Sequence, residues 1–303
     1  ESDVEIFNTR KEAWDAKFPD IARQLLEFKY GNGLEVALGG GRTNFIPKET
    51  ADPEYPNQPG KRLDGRDLTK EWTSKYKNSG FVWNKAQFDA IDPRKTDHLF
   101  GLFEASHMRY DFDRPKDAAG EPSLSEMTSK AIDILSKNKK GYVLMVEGGR
   151  IDHSHHDGSA FRALTDTIAL SNAVRTAVGK VNLDETLVIV TADHSHTFFI
   201  QGCPARGNNI LGLIHEIDGN GDYELNPKTD AGSKPVTTLG YANGPGARGA
   251  ERPSLTHDQV TAPDYKQEAN IPFSSETHGG EDVAIYATGV NAHLIRGSME
   301  ENW

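Results

Sequence analysis

The sequence predicts an α/β protein: a mostly parallel central sheet flanked by helices and interrupted by one irregular insertion. Three observations carry this. Two short apolar, β-branched runs, YVLMVE (142–147) and TLVIVT (186–191), suit strands buried on both faces. Between them Phe161, Leu164, Ile168 and Val174 recur at helical spacing, which gives a strand, helix, strand unit and hence a parallel sheet. From about 202 to 272 the texture turns to Gly, Pro and Asn with weak periodicity, after which EDVAIYA (281–287) resumes a strand pattern.

Taken in order, FPDIARQLLEF (18–28) reads as a helix, and LEVALGGG (34–41) as a strand running into a glycine turn. A polar, Pro-rich stretch follows. SLSEMTSKAIDILSK (123–137) opens with Ser123 and Glu126 at capping-box spacing, and Leu124, Thr128, Ala131 and Leu135 continue one helical face. The organisation expected is an α/β core over 1–201, an insertion over 202–272 and a return to the core over 273–303.

A chain of 303 residues with 36% hydrophobic and 26% charged residues makes one large globular domain or two ordinary ones. It has no apolar run long enough for a membrane-spanning helix. The net charge of -11, with no Lys/Arg run, argues against a nucleic-acid-binding face. Cys203 is the single cysteine and forms no internal disulfide, so it marks neither a reducing nor an oxidising compartment. ESDVEIFNTRKEAW has no basic n-region or apolar h-region and does not begin with Met, so the expectation is that something upstream has been removed.

Chemistry-bearing groups gather where parallel strands end. Glu147 follows YVLMV, Asp193 and His194 follow TLVIVTA, and His278 lies in a Gly-containing loop before the last strand. Asp152 and His156, four residues apart, share one face of a helix. Asp, Glu and His are ligands of hard-to-borderline divalent ions, and six such groups exceed one tetrahedral zinc site, so at least two metals are implied. Alone, DHSHH reads equally as a solvated helix start and DHSH as a polar turn. Their joint occurrence after apolar strands, with a further His loop downstream, favours a metal centre.

These residues carry a resemblance. VEGGRIDHSHH, VTADHSH and ETHGGEDVAIYATG resemble the metal-binding segments of alkaline phosphatases, more the animal-type branch than the short bacterial one. GGGRTNFIP, DPEYP, RLDGRDL, VWN, GLFE and PSLSEM match in the same order, so the resemblance covers nearly the whole chain. It implies an alkaline phosphatase-like fold, two zinc ions and one magnesium. Asp152, His156 and His278 would hold the first zinc, Asp193 and His194 would contribute to the second, and Glu147 would bind magnesium. His153 matches a position that reaches bound phosphate through water. Glu54, the carbonyl of Phe103, Glu104 and Glu121 match an outlying calcium site; Glu121 departs from the Asp more usual there.

The activity implied is hydrolysis of small phosphate monoesters, in which a serine attacks to give a phosphoserine that is then hydrolysed. That serine lies in an upstream Asp-Ser-Ala motif in the family, and this chain has none. The upstream bridging Asp, magnesium-binding hydroxyl and phosphate-clamping Arg are not matched either. The expectation is therefore the C-terminal majority of an alkaline phosphatase, with the N-terminal part cleaved away, on another chain or lost, and with little activity alone. The insertion over 202–272 matches the family's crown, which implies a homodimer. A periplasmic or secreted location and a bacterial member of the animal-like branch complete the reading.

Substitutes for the serine fail on local grounds. Ser159 continues the helix after His156 without a strand-to-helix turn to aim it. CPAR (203–206) places Cys and Pro adjacent, where the sulfatase motif separates them. DGNGDY (218–223) has Tyr223 where a calcium loop needs Gly and Thr229 where it needs Glu. GGGR (39–42) reads as a strand-ending turn rather than a phosphate nest. Two rival functions stand beside the hydrolase: a catalytically silent metal-binding remnant, and a related sulfatase or phosphodiesterase.

Overall fold

The computed structural model describes residues 12–300 apart from 13, 14, 16 and 250, so most of ESDVEIFNTRKEAW and the final ENW fall outside the described residues. The chain is α/β and divides into two compact units, Glu1–Val146 with Asn172–Ala177, and Glu147–Ser171 with Val178–Trp303.

In the first unit, α1 (Ile21–Glu27) starts at Asp20, whose carboxylate accepts the N–H of Arg23 at 2.9 Å. Strands β1 (Val36–Gly39), β2 (Ser79–Val82) and β3 (His98–Leu102) form a wholly parallel sheet in the order β1-β3-β2. Helices α2 (Leu68–Lys75) and α3 (Lys85–Ala90) are capped by the side chains of Asp67 and Asn84. β2, α3 and β3 make a parallel crossover, which the sequence reading did not place here.

β3 is buried at every position, and strand alternation divides its side chains between two cores. Phe100 and Leu102 join Leu68 and Trp72, whereas Leu99 joins Phe88, Phe103 and Met127. Gly101 makes room for its neighbours: a Cβ there would sit 2.7 Å from both Leu38 Cδ2 and Phe103 Cζ and would force those side chains to shift. This central strand falls in the stretch that the sequence reads only as polar and Pro-rich. Its run, HLFGLF, is short and stands among charges, so composition averaged over a longer window hides it.

Helix α4 (Leu124–Leu135) carries the expected capping box: Ser123 Oγ accepts from Glu126 N at 3.3 Å, and Glu126 Oε2 accepts from Ser123 N at 2.8 Å. Beyond the end of β1, the buried Arg42 forks onto Asp52, with both N–O distances 2.7 Å, and donates to the carbonyl of Leu102 at 2.9 Å. Its third partner is Glu54, at 2.9 Å.

The run at 142–147 departs from expectation. It forms no ladder with any described residue, and Val143 and Met145 are 95% and 83% exposed. Apolar, β-branched composition sets a preference for extended backbone, but a strand also needs a paired neighbour and covering layers. The strand, helix, strand unit is therefore not closed by a ladder, although its helix and second strand form.

In the second unit, α5 (Arg150–His156) precedes the long α6 (Ala160–Lys180), of which Asn172–Ala177 are assigned to the first unit. β4 (Leu187–Val190) pairs antiparallel with β10 (Tyr286–Gly289), Val190 opposite Tyr286. Apolar side chains are exposed on both faces of this pair: Leu187 and Ile189 on one are 37% and 46% exposed, and Tyr286 on the other is 67% exposed. β5 (Ser195–His196) pairs antiparallel with β9 (His278–Gly279). β7 (Leu239–Gly244) lies between antiparallel β6 (Phe198–Ile200) and parallel β8 (Ala269–Pro272), and α7 (His257–Val260) is a single turn between them in sequence.

Candidate metal centre

Three short elements of the second unit build the site. α5 sets Asp152 and His156 one turn apart on one face, as their spacing requires. β5 and β9 bring in the other groups: the antiparallel register places His196 directly opposite His278, and opposed residues share one face of a ladder. Glycine is favoured beside them, since a Cβ on Gly279 would meet the backbone carbonyl of His196 at 2.8 Å as well as Ser195 Oγ at 2.5 Å.

The focus is Asp152 Oδ1. His196 Nε2 lies 3.0 Å from it, His278 Nε2 3.3 Å, His156 Nε2 3.4 Å and His194 Nε2 3.8 Å. The Nε2 atoms of His156 and His278 are 3.2 Å apart, and the rings of His194 and His278 stack at 3.5 Å. Atoms bound at 2.0–2.1 Å around a tetrahedral ion stand about 3.3 Å from one another. The cluster has that spacing.

The proton inventory supports a cation between these atoms. His156 Nδ1 lies 2.5 Å from the carbonyl of Glu276, which only accepts, so that nitrogen carries the hydrogen and the neutral ring turns the Nε2 lone pair inward. His196 Nδ1 lies 2.7 Å from Glu276 Oε2 and donates to it, with the same consequence. Lone pairs thus face a carboxylate oxygen. Asp152 Oδ1 and His196 Nε2 are closed off from water, and neither makes a hydrogen bond of good geometry to a described residue. A divalent ion of the zinc class fits this donor set.

Burial raises the Asp152 carboxyl, but positive charge at His156, His196, His153 and His278, present when those rings are protonated, outweighs it and holds the group below its ordinary value; the spot therefore favours positive charge, which a bound cation would supply among neutral rings. His155 points away from Asp152, with Nδ1 2.8 Å from the hydroxyl of Tyr241; burial and the neighbouring His196 push it down to about 4.

The structure thus gathers Asp152, His156, His194 and His278 and adds His196, which the sequence reading passed over. A signal was present, because His194 and His196 in DHSH are two apart, the spacing of one strand face. Asp193 is not drawn in: its side chain is 89% exposed, and its Oδ2 is 3.5 Å from His194 Nε2. Glu147 is exposed and belongs to no converging group among the described residues. His153, next to Asp152 on α5, is in none of the converging groups among the described residues. Ser159 is buried, with its hydroxyl accepting from the N–H of Arg162 at 3.4 Å and its carbonyl from that of Ala163 at 3.0 Å, an arrangement that starts α6.

A second acidic group lies within the first unit. Carboxylate oxygens of Glu54, Glu104 and Asp117 converge. Arg42 holds Glu54, while Tyr55 Oη and Arg109 Nε hold Glu104 at 2.9 and 2.8 Å. Phe103 follows β3 with its ring in the core. Glu121 is buried, and its two oxygens accept the N–H of Arg109, each at 3.1 Å; burial, together with Glu104 and Asp117, pushes its carboxyl up to about 7. The buried Asp117 Oδ2 makes no hydrogen bond to a described residue. The set is all oxygen, which suits a hard cation such as calcium. Asp117 had no signal in the sequence beyond being one acid in a polar loop.

The chain is similar to known proteins over nearly its whole length. The model of the family described as Alkaline phosphatase matches residues 2–303. The alkaline phosphatase of Gadus morhua is 42% identical over 299 residues, 96% of this chain and 60% of that protein. The tissue-nonspecific isozyme of Homo sapiens is 41% identical over 292 residues, 94% of this chain and 53% of that protein. The chain therefore spans between half and three fifths of the length of these relatives. Among solved structures, the alkaline phosphatase of Thermus thermophilus superposes with a TM-score of 0.51 at 33% identity, over 61% of this chain and 35% of that one.

Proposed function

The chain belongs to the alkaline phosphatase family, and on that premise we propose that it forms the metal-holding part of a phosphomonoesterase. The observation that carries the proposal is the convergence of four imidazole nitrogens on Asp152 Oδ1, with the lone pairs of His156 and His196 turned inward. In this reading Asp152, His156 and His278 hold a first zinc, Asp193 and His194 contribute to a second, and Glu147 binds magnesium. Bound divalent ions would neutralise phosphate oxygens and stabilise the developing charge on attacking and leaving groups.

The chain's own residues do the rest. α5 presents Asp152 and His156 as a rigid pair, and the β5–β9 ladder fixes His196 and His278 against them. His153, on the same helix, is assigned to a water-mediated contact with the phosphate. The serine nucleophile is assigned to a segment outside this sequence, since no Asp-Ser-Ala occurs in it.

Glu54, the Phe103 carbonyl, Glu104 and Glu121 make the proposed calcium site, to which the geometry adds Asp117. The residues from about 202 to 272 are assigned to a crown-like insertion between core segments 1–201 and 273–303, with a homodimer as the assembly and the periplasm or exterior as the location. No helix among the described residues is long and apolar enough to cross a membrane.

The test is hydrolysis of a chromogenic phosphate monoester at alkaline pH with zinc and magnesium supplied, beside a chelated sample and a sulfate ester, together with the zinc content of the protein. Bound zinc with phosphate-selective, chelator-sensitive turnover, from the chain alone or once an upstream segment is restored, is the expected result. Absence of zinc binding, or faster turnover of the sulfate ester, overturns the proposal.

A further inference from the structure

Glu276 is neither a metal ligand nor a substrate contact in the proposed function, yet two of the cluster's imidazoles rest on it. It is 1% exposed and lies in the loop before β9, two residues ahead of His278. Its N–H donates to the carbonyl of His156 at 2.9 Å, which ties this loop to the end of α5. Its own carbonyl accepts from His156 Nδ1 at 2.5 Å, and its carboxylate accepts from His196 Nδ1 at 2.7 Å.

The carboxylate is spoken for and does not serve as a ligand. Oε2 is taken by His196, and Oε1 accepts both the N–H and the hydroxyl of Thr197, each at 2.7 Å. What it can do is decide which ring nitrogen carries the hydrogen. An acceptor at Nδ1 fixes the hydrogen there and leaves the Nε2 lone pair for a metal, the arrangement of carboxylate–histidine–metal triads. One residue does this twice, through the main chain for His156 and the side chain for His196.

We propose that Glu276 is the positioning residue of the metal centre: it sets the tautomer and aim of His156 and His196 toward Asp152. This rests on the proposed metal-holding function and adds a residue to it. Glu276→Gln has nearly the same shape but only one acceptor oxygen. Its NH2 group must face either His196 Nδ1, which moves the ring hydrogen to Nε2, or Thr197, where it meets an N–H donor. The hold on His156 is through the main chain and survives the substitution, so the variant reads the His196 half alone.

The experiment compares the full chain with its Glu276→Gln variant in zinc titration against a chromophoric chelator, in the visible spectrum of the cobalt-loaded form, and in thermal melting of the metal-free form. The expected result is a zinc affinity lower by about 10- to 100-fold with an altered cobalt spectrum, at a metal-free melting point close to the parent's. Unchanged affinity and spectrum, in a parent that binds zinc, overturn this inference and leave the metal-holding function standing. A parent that binds no zinc overturns both. If Glu276→Gln does not fold, His196→Asn carries the test, because it removes the ring that the carboxylate aims. The same loss in a folded protein supports the proposal, and parental affinity overturns it.

Discussion

His196 and His278 sit opposite each other across the β5–β9 ladder, and their Nε2 atoms approach Asp152 Oδ1 at 3.0 and 3.3 Å. A two-residue ladder therefore has a chemical role, since it holds two imidazoles at the separation that one small cation spans.

Removing the focus of that arrangement has a definite cost. Asp152→Ala and His278→Ala should each weaken zinc binding by more than about 100-fold, beyond what loss of a supporting hydrogen bond causes. Equilibrium dialysis with zinc analysis measures this. Parental zinc content in Asp152→Ala would show that the imidazoles converge for another reason.

The first unit should respond to calcium independently of zinc. With calcium at about 100 times its Kd, binding adds about 2.7 kcal/mol to stability, seen as a higher melting temperature. Glu104→Gln or Asp117→Asn should abolish the calcium effect while zinc affinity stays as it was. An equal calcium response in both variants would remove these carboxylates from the site.

Without calcium, Glu121 should make stability fall as pH rises. Its folded value is raised to about 7 from an ordinary 4.5, so the folded state keeps a proton that the unfolded chain has released. The stabilisation is complete below about 4.5 and is lost through about 7, for a total of up to about 3 kcal/mol. Urea denaturation in chelator across this window should show the slope. Glu121→Gln, which carries no titrating proton, should flatten it.

Ser123→Ala removes one half of the capping box on α4 and should cost about 1 kcal/mol. A metal-independent drop in the denaturation midpoint of that size is expected. No change would mean that packing of the buried Met127, Ile132 and Ile134 alone fixes the helix end.

What could be read from the sequence was local. Ser123 and Glu126 announce their helix because the capping bonds span three residues. Asp152 and His156 announce a shared face because a helix turns in about 3.6 residues. His196 was equally local, two residues from His194, but only a strand makes that spacing matter and the surrounding DHSHT looks like a turn.

Asp117 and Glu276 were not readable at all. Their roles depend on Glu104, thirteen residues back, and on His156, 120 residues back, so nothing near them in sequence marks them. The run at 142–147 fails the opposite way. Its composition favours extended backbone, while its burial depends on neighbours that local composition does not report.

The exposed apolar side chains of the β4–β10 pair have a consequence for how the protein behaves in solution. Leu187, Ile189 and Tyr286 stand on a ladder only two strands wide, so apolar surface and unpaired backbone edges occur together, the combination that invites strands of different copies to stack. Against this stands a net charge of -11, which makes copies repel. In about 0.1 M salt that repulsion is screened beyond about 10 Å. Colloidal stability of the chain is therefore set by ionic strength: dilute buffer keeps molecules dispersed, and added salt brings the uncovered strands within reach of one another.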